Sequence, residues 1–331
     1  MSERGAASAR FLVDSGWGAA ERRPLAGDAS FRHYERLSLN GRTAVLMDAP
    51  PPKEDVRPFL AIARHLAALG YSAPGIMAAS ETEGFVLLED LGDDLYTRIL
   101  ARGADSSVET ELYAAAIDLL ADLHRHAPPE GVARYDEAKL IGDAELFLDW
   151  YVPRRLEREA RADERRRFRD AWRAILPVGE RMPLTLALRD FHADNLIWLP
   201  RRRGVQRVGL LDFQDAIITP LPYDLVSLLE DARRDVPPDI VTAMIERYLA
   251  ARPELDRSAF AASYAVMGAQ RNIRIIGVFA RLAKRDSKPR YLEFLPRIWR
   301  LVEHDLSHPA LRPIADWMNA MVPAAMRERD R

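Results

Sequence analysis

The sequence contains no cysteine, which excludes disulfides, thiolate catalysis and cysteine metal sites. Lysine is nearly absent as well. Only Lys53, Lys139, Lys284 and Lys288 occur among 48 basic residues, so any chemistry that needs an ammonium group has four candidates. No run of about 18 apolar residues is present, so no membrane-spanning helix is expected. The start, "MSERGAASARFLVDSGWG", has no apolar signal core, and the expectation is a cytoplasmic monomer. Net charge is -2 over 331 residues, which gives no global case for nucleic acid or membranes as partners. No two histidines have zinc-ligand spacing. Internal repeats and low-complexity tracts are also missing.

What is present is an ordinary globular composition, 48% hydrophobic, in an uneven order of elements. A short helix is expected over 8–21. "PLAGDASFRHYERLSLNGRTAVLMDAPPP" reads as strand, turn, strand, turn, strand, with "NG" as the hairpin signal and the prolines as the stop. A helix is expected over 54–70, then a hairpin in "GIMAASETEGFVLLEDLG". "SSVETELYAAAIDLLADLHRH" has helical spacing and a serine as N-cap. Residues 143–176 read as helix ending before Pro177. "LTLAL", "NLIWL" and "RVGLLDF" read as strands, the last two forming a hairpin, and the chain is helical from "YDLVSLLEDA" onward. The plan is α+β: a small antiparallel β-sheet lobe with one helix over 1–91, and a larger, mainly helical lobe over 92–331.

One stretch stands out. "LRDFHADN", 188–195, packs two aspartates, a histidine and an asparagine into eight residues. Polar groups this dense are costly to bury without partners. Asp190 precedes Asn195 by five residues, and Asp212 follows at the end of the hairpin. Magnesium prefers oxygen ligands, which Asn195 and Asp212 offer. Asp190 can orient and deprotonate a hydroxyl. A lone D-x-x-x-x-N arises by chance about once in a chain of this length, so the order of loop, hairpin and second aspartate carries the weight.

"RDFHADN", "LLDFQDA" and "PLPYDLVSLL" resemble the aminoglycoside-phosphotransferase-like small-molecule kinases, over nearly the whole chain. "GDASFRHYERL", "LMDAPPPKED", "FVLLEDLGDDLY" and "RNIRIIGVFARL" resemble one branch more closely, the bacterial anomeric N-acetylmuramate/N-acetylglucosamine kinases of cell-wall recycling. The resemblance implies a protein-kinase-like two-lobe fold, ATP and Mg2+ as cofactors, and an amino sugar as substrate. It implies Asp190 as catalytic base and Asn195 and Asp212 as metal ligands. Gly27, Ala29 and Ser30, in the turn "GDASF", would offer N–H groups to phosphates, with an ordinary turn as the other reading. Glu89 and Leu91 would meet adenine through their backbone.

The sequence departs from the pattern at two places. Leu188 stands where the loop usually has histidine. Met47 stands where the strand V-A-I-K has its phosphate-pairing lysine, and the next helix has only Glu54, at its start, in place of the usual mid-helix glutamate. Arg32 is the first choice to replace the lysine, with Arg36 and Lys53 behind it. His192 reads as a supporting hydrogen-bonding group and Asp224 as a structural partner of the loop. Glu145 and Trp150 suit either a sugar site or an amphipathic helix. Asp215 can reach a sugar hydroxyl. Residues 270–300 hold nine basic residues against two acidic ones, and Arg271 and Asn272 are the substrate candidates there. Two other readings stay open: a kinase of another small molecule (an aminoglycoside, choline or homoserine), and a nucleotide-binding pseudokinase.

Overall fold

The computed structural model describes residues 3–25, 31–103 and 105–327. In chain order, α1 (Glu3–Asp14) precedes β1 (Glu21–Pro24), β2 (His33–Leu39), β3 (Arg42–Asp48), α2 (Arg57–Ala68), β4 (Ile76–Ser80), β5 (Phe85–Glu89), α3 (Tyr96–Ala101) and α4 (Ser106–Leu123). Then come α5 (Glu137–Ala144), a π-helical turn (Phe147–Tyr151), α6 (Val152–Leu156), α7 (Ala162–Gly179) and β6 (Leu184–Ala187). A 3-10 turn (Ala193–Asn195) leads into β7 (Leu196–Trp198), followed by β8 (Val208–Leu210) and β9 (Ile217–Pro220). The rest is helical: α8 (Tyr223–Leu229), α9 (Pro238–Ala251), α10 (Arg257–Arg285), α11 (Leu295–Leu306), α12 (Arg312–Met321) and α13 (Ala324–Arg327). No helix among the described residues is long and apolar enough to cross a membrane.

The chain forms two compact units, and neither is contiguous. One comprises residues 1–116 and 193–216, the other 117–192 and 217–331. A boundary at residue 91 follows chain order and so assigns the β7–β8 segment to the helical part.

In the first unit the sheet order is β1-β2-β3-β5-β4, all antiparallel. The β2–β3 turn is Asn40-Gly41, with φ of 50° and 76°, the left-handed pair that a tight hairpin needs. Period-two alternation puts Leu37, Ala44, Leu46, Phe85 and Leu87 in one buried cluster with Phe11 and Leu12 of α1 and with Trp17. Met47, one residue out of phase, is also fully buried, opposite Tyr34 and Val86. Gly209 of β8 has no room for a side chain: a Cβ there would lie 3.1–3.2 Å from Ile197, Leu199 and Leu91. Leu91, two residues after β5, therefore rests directly on the β7–β8 hairpin.

In the second unit β6 pairs with β9, and α10, 29 residues long, runs through the core. Gly277 lets α10 touch the backbone of Leu146 and Phe147, where a Cβ would come within 2.5 Å. Phe147 stacks on Tyr151 with centroids 5.0 Å apart, and Trp299 packs edge-on against both. Burial of each such ring contributes roughly 1.5–3 kcal/mol.

Several elements differ from expectation. The first helix starts five residues early, at Glu3. The helix expected over 143–176 is interrupted: Glu157 takes φ 54° and ends α6, and α7 restarts where Glu164 accepts the Arg161 N–H at 2.8 Å. Pro177 lies inside the last turn of α7, where its missing N–H costs only one helical bond. The α4 cap is Asp105, which accepts the Ser107 N–H at 3.2 Å, and not a serine. β9 is a strand that the short stretch "IITP" did not announce.

Candidate active site

The second unit holds Asp190. Asp224 of α8 is fully buried and accepts the N–H groups of Leu188 (2.6 Å) and Arg189 (2.9 Å). Ser227 donates to the Arg189 carbonyl at 3.2 Å. These bonds hold Arg189 at φ 73°, a left-handed conformation that a non-glycine residue adopts only under constraint. Burial pushes the Asp224 carboxyl up to about 7, against the pull of its two N–H donors. Asp224 is thus a structural partner of the loop, as its position in "YDL" suggests. Leu188 is buried and makes part of the core.

Asp190 follows the constrained residue. Burial acts to raise its carboxyl, but His192, Arg274, Arg271 and Arg189 outweigh burial and hold it below the usual range. Two of these cations are fixed by Asp143 of α5, which lies 3.0 Å from Arg189 Nη2 and 3.3 Å from Arg274 Nε and also accepts from the Tyr135 hydroxyl. The sequence reading missed Asp143 and Arg274. Their only signal was charge on helices, which is more often solvated. Burial lowers the His192 imidazole against the pull of Asp231 and Asp190, and its Nε2 lies 3.0 Å from Arg233 Nη1.

The first unit holds Asn195 and Asp212 at one end of the β7–β8 hairpin. Leu196 pairs with Leu210, and the Leu211 N–H donates to the Asn195 carbonyl at 3.0 Å. Asp212 has φ 55°, again left-handed, and its carboxylate accepts from Gln214 Nε2 at 2.8 Å. No group of three or more histidine, aspartate or glutamate side chains forms a metal cluster among the described residues. A half-buried carboxylate beside an amide oxygen suits magnesium, which keeps most of its shell for water and phosphate.

Arg32 lies in the same unit, with Nε 3.0 Å from Glu54 Oε2. Arg36 takes a different place: it holds Asp90 at 2.8 Å and Asp93 at 2.6 Å, tying β2 to the segment after β5. Lys53 lies over the Phe31 ring, 4.5 Å from its centroid. The Glu89 N–H donates to the Gly75 carbonyl at 2.8 Å, and its carboxylate meets Arg202. Gly27, Ala29 and Ser30 lie outside the described residues.

The substrate candidates are scattered within the second unit, except for Asp215, which is exposed in the first. Glu145 pairs with Arg169 at 2.7 Å, and Trp150 is half-buried in the π-helical turn. Arg271 is 3% exposed, and its Nε and Nη1 lack protein partners. Asn272 is fully buried and donates to Glu230 (2.6 Å) and Asp305 (3.1 Å). Glu230 and Asp305 in turn line a cavity of about 850 Å³, with Asp231, Tyr264, Arg297 and His304 among its walls.

Fold and relatives agree on a class. The choline kinase LicA from Streptococcus pneumoniae superposes with a TM-score of 0.64 over 93% of this chain and 100% of its own, at 12% identity, which establishes a kinase-like fold. The phosphotransferase enzyme family matches residues 21–260, and the chain belongs to that family. It is 42% identical to the N-acetylmuramate/N-acetylglucosamine kinase of Caulobacter vibrioides, over 98% of this chain and 99% of that one. It is 37% identical to the protein of the same name from Pseudomonas aeruginosa, over 88% and 86%.

Proposed function

We propose that this chain is an ATP-dependent sugar kinase that phosphorylates the anomeric hydroxyl of N-acetylmuramate and N-acetylglucosamine, returning cell-wall sugars to metabolism. Asp190 carries the reading: a half-buried carboxylate kept ionised by His192 and by Arg274, Arg271 and Arg189, on a loop held in a strained conformation by Asp224. Asp190 accepts the hydrogen bond, and then the proton, of the sugar C1 hydroxyl. The oxygen bonds to the γ-phosphorus as the bond to the β-phosphate oxygen breaks, leaving ADP and a sugar 1-phosphate. Little covalent chemistry is asked of the protein, so positioning and charge neutralisation dominate.

Asn195 and Asp212 would hold Mg2+, which when bound neutralises phosphate charge. Arg32 and the N–H groups of Gly27, Ala29 and Ser30 would meet the phosphates, and the backbone at Glu89 and Leu91 the adenine. Arg271, Glu145 and Trp150, and separately Asp215, would be the candidate contacts to the sugar. Asn272 would act only through its two carboxylates. Arg271, Arg274 and Arg189 around Asp190 favour an acidic sugar over a cationic drug.

Met47 and Leu188 suggest a second reading, a nucleotide-binding pseudokinase. Retention of Asp190, Asn195 and Asp212 together speaks against it. The test is a panel of N-acetylmuramate, N-acetylglucosamine, choline, homoserine and an aminoglycoside with ADP release as readout. Turnover with the two amino sugars alone is expected. Turnover with a cationic acceptor in their place would refute the assignment.

A further inference from the structure

Kinase-like folds place a phosphate-pairing lysine on the third strand and a glutamate in the next helix. Met47 occupies that strand position, fully buried. A cation and a carboxylate nevertheless meet nearby, supplied by other elements of the first unit. Arg32 Nε is 3.0 Å from Glu54 Oε2, and the two side chains are only 10% and 13% exposed. The second Glu54 oxygen accepts the N–H of Phe31 at 3.2 Å. One carboxylate therefore fixes both the Phe31 backbone and the Arg32 guanidinium. Tyr34, directly opposite Met47 in the β2–β3 register, hydrogen-bonds Arg32 and lies within electrostatic reach of Asp212 and Glu54. Arg32, Tyr34, Glu54 and Asp212 thus form one cluster.

We propose that Glu54 is a positioning residue for the nucleotide phosphates: it aims the Arg32 guanidinium so that an arginine–glutamate pair, built from the residue before β2 and the segment before α2, replaces the missing lysine–glutamate pair. The inference rests on the kinase reading above and adds Glu54 to it. A planar guanidinium suits paired recognition of phosphate oxygens, but a long side chain must be held in one geometry to do so. Removal of Glu54 leaves a nearly buried cation without its counter-charge, and the guanidinium turns toward water. A merely structural ion pair would tie the residue before β2 to the segment before α2 without regard to phosphate, and this difference can be measured.

Binding of MgATP and of adenosine to the full chain is measured for the wild type, Arg32→Ala, Glu54→Gln and the double variant, by calorimetry for MgATP and ligand-observed NMR for adenosine. Each single substitution is expected to raise the MgATP Kd about tenfold, as for loss of one charge-assisted bond, while adenosine binds all four proteins equally. The double variant should lose no more than the weaker single, because the two residues act as one unit. Wild-type MgATP affinity in Glu54→Gln, parallel loss of adenosine, or additive losses in the double variant would each overturn the inference. If the wild type binds MgATP but transfers phosphate to neither amino sugar, the sugar-kinase reading fails and the Glu54 result stands by itself.

Discussion

Asp190, half-buried, and the buried pair Glu230–Asp305 are carboxylates of the same unit, and their surroundings have opposite effects. Around Asp190 stand Arg189, Arg271 and Arg274, which hold the carboxyl below its usual range despite burial. Around Glu230 and Asp305 stand an amide, Asn272, and a phenol, Tyr264, with Arg271 acting on Glu230. There burial prevails. Glu230 is pushed up to about 7 and Asp305 well above the carboxylate range, so the pair holds a proton at neutral pH. Burial by itself favours the neutral acid. The arginines on α10 and beside the loop turn one carboxylate into a permanent anion, ready to receive a hydroxyl, while the other two remain a scaffold behind a cavity.

The comparison breaks most sharply at Asp190. Asp190→Asn should lower kcat on the order of 10²–10⁴-fold while MgATP still binds, as stopped turnover with retained nucleotide affinity would show. Asp224→Ala comes next. It orphans two buried N–H groups at a strained residue, at about 1–3 kcal/mol each, read by urea unfolding. A smaller effect is expected from Arg274→Gln. With one cation gone, the Asp190 carboxyl rises, and the acidic limb of kcat/KM should move upward by about one pH unit; an unmoved limb would show that Arg274 does not set the charge.

The smallest effect concerns the protonated pair. Its folded-state values lie above those of an unfolded chain, so the stability it lends is complete below about pH 4 and is lost as pH rises toward about 7. The melting temperature should therefore fall between pH 5 and pH 8, and Glu230→Gln should flatten that slope.

Much of this was legible in the sequence, for identifiable reasons. The hairpins followed from Asn40-Gly41 and from period-two alternation, and the spacing of Asp190, Asn195 and Asp212 is local. Asp224 was readable as a loop partner because it directly follows that segment. The pairings were not legible. Arg32 and Glu54 lie 22 residues apart, just before β2 and just before α2, and nothing in either stretch marks the other. Asp143 looks like any helical acid until Arg189 and Arg274 converge on it. Asn272 read as a substrate candidate because it lies in the segment that most resembles the sugar-kinase branch; α10 is buried over most of its length, and residue type alone does not say which side faces a ligand.

The central claim is transfer to the anomeric oxygen, and the product decides it. N-acetylmuramate and N-acetylglucosamine, each incubated with this chain, ATP and magnesium, should give a phosphorus NMR signal coupled to the anomeric proton, together with stoichiometric ADP. A signal coupled to the C6 protons, or ADP without any phosphorylated sugar, would contradict the account.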